Sequence, residues 1–195
     1  MNLEMLTAPT SEPVTLAEAK AHLGITFDDH DPMIYAMVSA ARRHVEAYTR
    51  RAIVRQKWRI YLDSFSSEIA LAPPPVQEIA QIQYIDGDTS PQTQTVSTSI
   101  YELDRARQVV RLAYGQTWPT PRSQYNAAWI DLWSGYYDPD VSPINTTGAI
   151  PTDLRFAVLM LAEDLFNNRG VQSEIVLNHN RTADALMRPY WVPNL

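Results

Sequence analysis

The fold is decided by residues 34–62, which read IYAMVSAARRHVEAYTRRAIVRQKWRIYL. In the first half of this stretch, apolar residues recur at the spacing of one face of an α-helix, at Ile34, Met37, Val38, Ala41, Val45 and Tyr48. From residue 56 the period changes to two, because Trp58, Ile60 and Leu62 alternate with polar residues. The stretch therefore predicts a long helix followed by an antiparallel strand, and so an α+β fold.

Two further helices are predicted, one on each side of the strand region. Thr15 and Glu18 form a capping-box pattern and Gly24 is a typical helix stop, so a helix is expected near 15–23 after an extended leader over 1–13. The long second helix has Pro32 in its first turn, after the acidic cluster 28–31. A last long helix begins around Pro151. We expect these three helices to form a small helical bundle core.

The last helix, which begins around Pro151, has a wide apolar face, and this indicates that the helix is buried on more than one side. The face consists of Leu154, Phe156, Ala157, Val158, Met160, Leu161 and Leu165.

Alternating apolar residues continue between the second and last helices, near 80–84, 101–103, 110–112 and 130–132. Asp86-Gly87-Asp88 is a tight-turn signal, and the polar run 89–99 obscures one further strand. The sequence thus predicts an antiparallel β domain inserted between helices. The expected segments are leader and helices over 1–55, β domain over 56–148, last helix over 149–170 and an extended docking tail over 171–195.

The composition is that of a globular protein, with 45% apolar and 19% charged residues among 195. The chain has no cysteine, which excludes disulfides, thiolate metal sites and a cysteine nucleophile. We expect no membrane span and no secretory signal, and hence a protein made and kept in the cytosol.

Charge is distributed unevenly. Residues 42–59 contain seven basic residues and one acidic residue, a net charge of +6, whereas the whole chain carries −6, so the remainder carries −12. Such an acidic body disfavours general binding to phosphates. We interpret the basic segment as an inter-subunit or docking face, with a solvated helix side as the alternative. The proposed face consists of Arg42, Arg43, Arg50, Arg51, Arg55 and Arg59.

The C-terminal segment carries large apolar side chains without an obvious core of its own, which favours either a docking segment or fold-back onto its own subunit. The candidate docking residues are Leu186, Met187, Arg188, Pro189, Tyr190 and Trp191.

No catalytic site, metal site or cofactor is predicted. The histidines His22, His30, His44 and His179 lack metal-ligand spacing, and no phosphate-binding loop or nucleophile elbow occurs. The pairs Asp86/Asp88 and Asp138/Asp140 flank turn residues, so we interpret them as turn formers.

Several segments, in this order, resemble the head-tail connector or adaptor family of tailed bacteriophages. They are 14–23, the acidic start of the second helix, 40–53, 56–58, 75–76, 84–88, 118–119, 135–136, 150–169 and 186–190. The resemblance rests on the order and spacing of these segments, since no one of them is diagnostic alone. The β portion is larger than in compact members of the family, and the polar stretch 89–99 has no counterpart.

The resemblance implies a structural, non-enzymatic subunit of the phage neck. Such a subunit forms a ring with copies of itself, commonly a dodecamer, between the portal protein and a stopper or tail-side protein, and its C-terminal segment reaches toward the portal. Genomic DNA passes through the channel during packaging and ejection without sequence-specific binding. The implied location is the virion neck, after assembly in the host cytoplasm.

Three alternatives remain. The chain could be another neck or tail part, such as a stopper or tail-terminator subunit, which differs in what it touches. It could be a hydrolase that uses the carboxylate pair Asp138 and Asp140. It could also be a DNA-binding module that uses residues 42–59, which the acidic remainder of the chain disfavours.

Overall fold

The computed structural model describes residues 2–136, 149–168 and 180–193. The chain divides into two compact units. The β unit comprises Met1–Pro9, Arg55–Gly148 and Leu195, and the helical unit comprises Thr10–Val54 and Ala149–Asn194. Helices and antiparallel sheets both occur, which confirms the α+β prediction.

The helical elements are α1 (Leu16–Leu23), α2 (Asp31–Thr49), α3 (Thr152–Asn167), α4 (Arg181–Met187) and a 3₁₀ turn (Arg188–Tyr190). The strands are β1 (Asn2–Thr7), β2 (Gln56–Leu62), β3 (Glu68–Ala70), β4 (Val76–Ile85), β5 (Thr93–Thr95), β6 (Tyr101–Asp104), β7 (Val109–Leu112) and β8 (Ala128–Ser134).

Local sequence signals set the ends of the first two helices. The Thr15 hydroxyl accepts a hydrogen bond from the Glu18 backbone N–H, and the Glu18 carboxylate accepts one from the Thr15 N–H, so the predicted capping box is confirmed. Gly24 ends α1 with φ +68°, a conformation that costs glycine little. The N-terminus of α2 contains proline in its first turn, as expected.

Within the helical unit, α2 contacts α1, α3 and α4, and α3 contacts α1 and α4. The predicted stripe of α2 is buried at Ile34, Val38, Ala41 and Val45. The wide face predicted for α3 is only partly correct: Leu154, Ala157 and Val158 are buried, whereas Phe156 and Leu165 are 45% and 43% exposed in the isolated subunit.

The prediction of an extended tail is wrong for residues 181–190, because α4 and the 3₁₀ turn are helical there. The Asn180 side chain caps α4 by accepting a hydrogen bond from the Ala183 N–H, and it donates one to Asp164 Oδ2 at 2.7 Å. Ala183 and Met187 are completely buried. The described tail therefore folds back onto its own subunit, since a helix gives both side chains one common buried face.

The β unit contains a five-stranded sheet in the order β1-β2-β8-β4-β5 and a three-stranded sheet in the order β3-β7-β6, both antiparallel. Its hydrophobic core consists of Ile60, Ile69, Leu71, Val76, Ile82, Val96, Val110, Ile130 and Leu132. The alternation in β2, β7 and β8 places these side chains on the core face. The predicted strand positions near 58–62, 80–84, 101–103, 110–112 and 130–132 are confirmed.

Three features of this sheet are only weakly indicated by the amino-acid sequence around them. The leader contributes β1, which pairs with β2, and the polar run 89–99 contributes the short strand β5. Ala80 was expected to alternate into the core but is exposed. The register explains this, because Ile79 and Gln81 pair with the consecutive residues Leu132 and Asp131, which leaves Ala80 as the extra residue of a bulge.

An ion-pair network occupies the centre of the other face of the five-stranded sheet. Asp131 is 1% exposed and accepts two hydrogen bonds from Arg59, at 2.6 and 2.9 Å, and one from Gln81 at 2.9 Å. The Lys57 ammonium lies 3.9 Å from the same carboxylate. Burial by itself would raise the pKa of Asp131, but the hydrogen bonds from Arg59 and Gln81 and the nearby positive charges hold that pKa below its usual value.

We predict that Asp131→Asn lowers the free energy of unfolding at pH 7 by about 2 kcal/mol, since Arg59 then loses its charged acceptor. A depressed carboxyl pKa contributes stability above the unfolded-state pKa, and this contribution is lost as the pH falls through the folded-state pKa. The wild-type unfolding free energy should therefore fall more steeply than that of the variant as the pH drops below about 4. Denaturant unfolding at a series of pH values measures this. Parallel curves for the two proteins would refute the prediction.

Candidate docking site

The six arginines of the predicted docking face do not form one exposed strip. Arg42 was expected to face solvent or another subunit, and this is wrong, because it is 6% exposed. Its Nε lies 2.7 Å from Glu12 Oε2 and its Nη1 lies 2.6 Å from Glu46 Oε2, so it forms a buried ion triad inside the helical unit. Arg43, on the next position of α2, is exposed.

Arg55 and Arg59 belong to the β unit and have partners there. The Arg55 guanidinium lies 4.3 Å from the ring centroid of Trp133 and 2.8 Å from a Glu78 oxygen. Arg59 is bound to Asp131 and lies 5.4 Å from the ring centroid of Trp129. These contacts hold both side chains against the sheet.

Arg50 and Arg51 meet the predicted docking segment, an association that spacing along the chain does not reveal. Arg51 Nε donates a hydrogen bond to the Tyr190 carbonyl at 2.6 Å, and the Arg50 guanidinium lies 5.8 Å from the centroid of the Trp191 ring. The Val192 N–H donates to the Thr49 carbonyl at 3.1 Å. The C-terminal end of α2 and the segment 188–192 thus form one surface, which we call the arginine–tryptophan surface.

Local backbone geometry makes this surface possible. Arg50 ends α2 in the left-handed conformation, with φ +57°, so the chain turns directly at the point where the tail arrives. The Tyr190 hydroxyl donates to Asp153 Oδ2 at 3.1 Å and ties the same segment to the start of α3. No sequence signal for Thr49 or Asp153 as tail anchors was recognised, because both contacts join residues more than 35 positions apart.

The six residues of the predicted docking segment differ in accessibility. Met187 is completely buried and belongs to the fold of the subunit. Leu186 and Tyr190 are half-buried, while Arg188 and Pro189 are exposed. Trp191 is 50% exposed. The accessible part therefore combines a large aromatic ring with the exposed cations of Arg50 and Arg188, a composition that is enriched in protein interfaces.

The residues considered for chemistry have structural contacts. His22 Nε2 lies 3.0 Å from Glu163 Oε2, and the His30 ring packs edge-on against Phe27 and Phe166. Asp86 accepts hydrogen bonds from the Gln94 side chain and the Gln92 N–H, which lower its pKa and fix the turn. Asp138, Asp140 and His179 lie outside the described residues.

Across residues 2–136, 149–168 and 180–193, no group of three or more His, Cys, Asp or Glu side chains could hold a metal ion. None of the helices in the same ranges has the length and apolar character needed to cross a bilayer.

Part of the chain matches the sequence model of a known protein family. The family described as phage gp6-like head-tail connector protein matches residues 13–101, which include α1, α2 and the strands β2 to β5. Over this segment, a little under half of its length, the chain is similar to the head-tail connector family. The match covers Arg50 and Arg51, and so the α2 half of the arginine–tryptophan surface. No curated protein sequence matches the chain.

Comparisons with solved structures extend the fold similarity over the entire chain. A chain from the neck of an empty gene transfer agent (GTA) particle, computed with C6 symmetry, matches with a TM-score of 0.76 and 20% identity, covering 100% of this chain and 97% of that one. The virion of the native GTA particle gives the same four values. The neck of the native particle, computed with C12 symmetry, matches with a TM-score of 0.75, 20% identity and the same coverage.

Proposed function

We propose that this protein is a structural adaptor subunit of a phage or phage-like neck, which forms a ring between the portal and the stopper or tail and lets DNA pass. One observation carries the proposal: the whole chain has the fold of a chain from a particle neck, and residues 13–101 match the connector family. In this function no bond is made or broken. The protein would act in the virion, at the head-tail interface, after assembly in the host cytoplasm.

The ring is supported by the symmetry of the similar structures, which were computed with C6 and C12 symmetry. By analogy we propose a dodecamer of this chain. In each subunit the contacts among α1, α2 and α3 would make a small helical bundle core. A closed ring needs two different surfaces on every subunit, since each copy contacts one neighbour on each side.

We propose the arginine–tryptophan surface as the portal-docking site. Its exposed residues, Arg188, Pro189 and Trp191 with Arg50 beside them, suit a partner that offers an apolar pocket and carboxylates. The buried Met187 and the half-buried Leu186 would hold the segment in place rather than make the contact. Arg43 remains a candidate for inter-subunit contact, because it is exposed on α2.

A stopper or tail-terminator role is the second candidate, and it differs in the partner that is bound. The experiment is to mix the purified protein with the portal protein of the same virus and with its tail-side neck protein, and to image the complexes by electron microscopy. We expect twelve copies on the portal, with the arginine–tryptophan surface at the portal side. Rings that assemble only on tail components would support the second candidate, and the absence of any ring on either partner would refute both.

A further inference from the structure

Strand β1 forms an open edge of the five-stranded sheet. Among the described residues its only strand neighbour is β2, and all six residues from Asn2 to Thr7 are exposed. Natural edge strands are usually short or carry lysine or proline, which discourages pairing with other chains. β1 has an ordinary length and neither residue type, although its pairing is irregular between Met5 and Thr7. Because the outer backbone groups of β1 have no strand partner among the described residues, they can accept another strand.

Two apolar side chains of β1 lie on the same face of the sheet as the hydrophobic core but remain partly exposed. Leu3 pairs with Ile60 and Met5 pairs with Trp58, so both apolar side chains lie on the face that carries the hydrophobic core. They remain 45% and 43% exposed. A strand added to this edge would cover both side chains, and it would also form hydrogen bonds with the backbone N–H and C=O groups of β1.

The other edge of the same sheet is β5, whose one strand neighbour within the described ranges is β4, and all three of its residues are exposed. Four strand spacings separate the two edges, about 19 Å. A ring requires contact between two different surfaces of one subunit, and the two edges of one sheet are two such surfaces. We propose that the β1 edge of one subunit pairs with the β5 edge of the next, which rests on the ring proposed above.

Side-chain charge favours β5 over a second β1 as the partner. If two β1 strands paired antiparallel with Leu3 opposite Met5, the two Glu4 carboxylates would lie directly opposite each other, and like charges in that position destabilise a sheet. On β5 the sequence is Thr93-Gln94-Thr95, without charge. Register along the sheet places Gln94 on the core face with Leu3, and the two threonines on the face of Glu4. Glu4 would then meet hydroxyl donors instead of a carboxylate.

Cysteine cross-linking tests the pairing, because the natural chain has no cysteine. The full chain with Leu3→Cys and Gln94→Cys is assembled on the portal and oxidised, and Met5→Cys with Gln94→Cys covers the register shifted by two residues. We expect one of the two pairs to give a ladder of covalent multimers on a non-reducing gel, reaching the number of subunits in the ring. The matched control, Leu3→Cys with Tyr114→Cys, places the second thiol on a fully exposed residue that belongs to neither edge strand and should remain monomeric.

Three results would overturn the strand pairing. Rings seen by electron microscopy without a ladder for either pair would refute it while leaving the adaptor function intact. A covalent dimer from Leu3→Cys alone would mean that two β1 strands meet. Failure to form rings on the portal with the wild-type chain as well would refute the adaptor function and, with it, the pairing.

Discussion

Replacing Arg42 by methionine is expected to lower the free energy of unfolding by about 3 kcal/mol, measured by denaturant unfolding at pH 7. The side chains of Arg42, Glu12 and Glu46 are 7%, 8% and 13% exposed, so solvent screens their charges weakly. Without the guanidinium, two carboxylates stay close together in a poorly solvated place. Glu46 also accepts a hydrogen bond from the Ile53 N–H at 2.9 Å, which ties the triad to the turn after α2.

Two further variants separate the ion triad from a general loss of charge. Arg43→Met removes the adjacent exposed arginine and should change the unfolding free energy by less than about 0.5 kcal/mol. Adding Glu12→Gln to Arg42→Met should restore part of the loss, because one of the two opposed carboxylates becomes neutral. Equal effects of Arg42→Met and Arg43→Met would show that the triad does not stabilise the helical unit.

Replacing Trp191 by alanine is expected to weaken portal binding by at least about 30-fold, equivalent to roughly 2 kcal/mol, the loss typical of an aromatic interface residue. Trp191 is half-exposed beside Arg50, so its removal takes away contact area without emptying the core. Titration of the adaptor against immobilised portal measures the change. The unfolding free energy should alter little, because the neighbouring Val192–Thr49 and Tyr190–Asp153 hydrogen bonds remain.

The matched control is Phe27→Ala, which removes an aromatic ring of nearly the same exposure elsewhere on the helical unit. Its portal affinity should equal that of the wild type. A Trp191→Ala variant that binds portal normally, or a Phe27→Ala variant that loses binding equally, would remove the arginine–tryptophan surface as the docking site.

Elements with strong local signals could be predicted accurately. The capping box at Thr15, the left-handed Gly24 and the helical stripe of α2 each depend on interactions within a few residues. The elements that were missed have a different origin. β1 exists because β2 offers it an edge to pair with, and α4, whose Ala183 and Met187 are buried, depends on its packing against α3 and α2. These partners are distant in sequence, so the residues of β1 and α4 by themselves give little indication of the structure that they adopt.

The same distinction applies to the candidate docking site. Periodicity, caps and composition are local properties, so they were enough to predict the element types over most of the chain, the concentration of arginines between residues 42 and 59 and the resemblance to connector proteins. The three-dimensional fold was needed to find that Arg42 is buried against Glu12, 30 positions away, while Arg50 lies beside Trp191. Whether a charged side chain is paired or available depends on which distant groups the fold brings within a few ångströms, and spacing along the chain does not encode that distance.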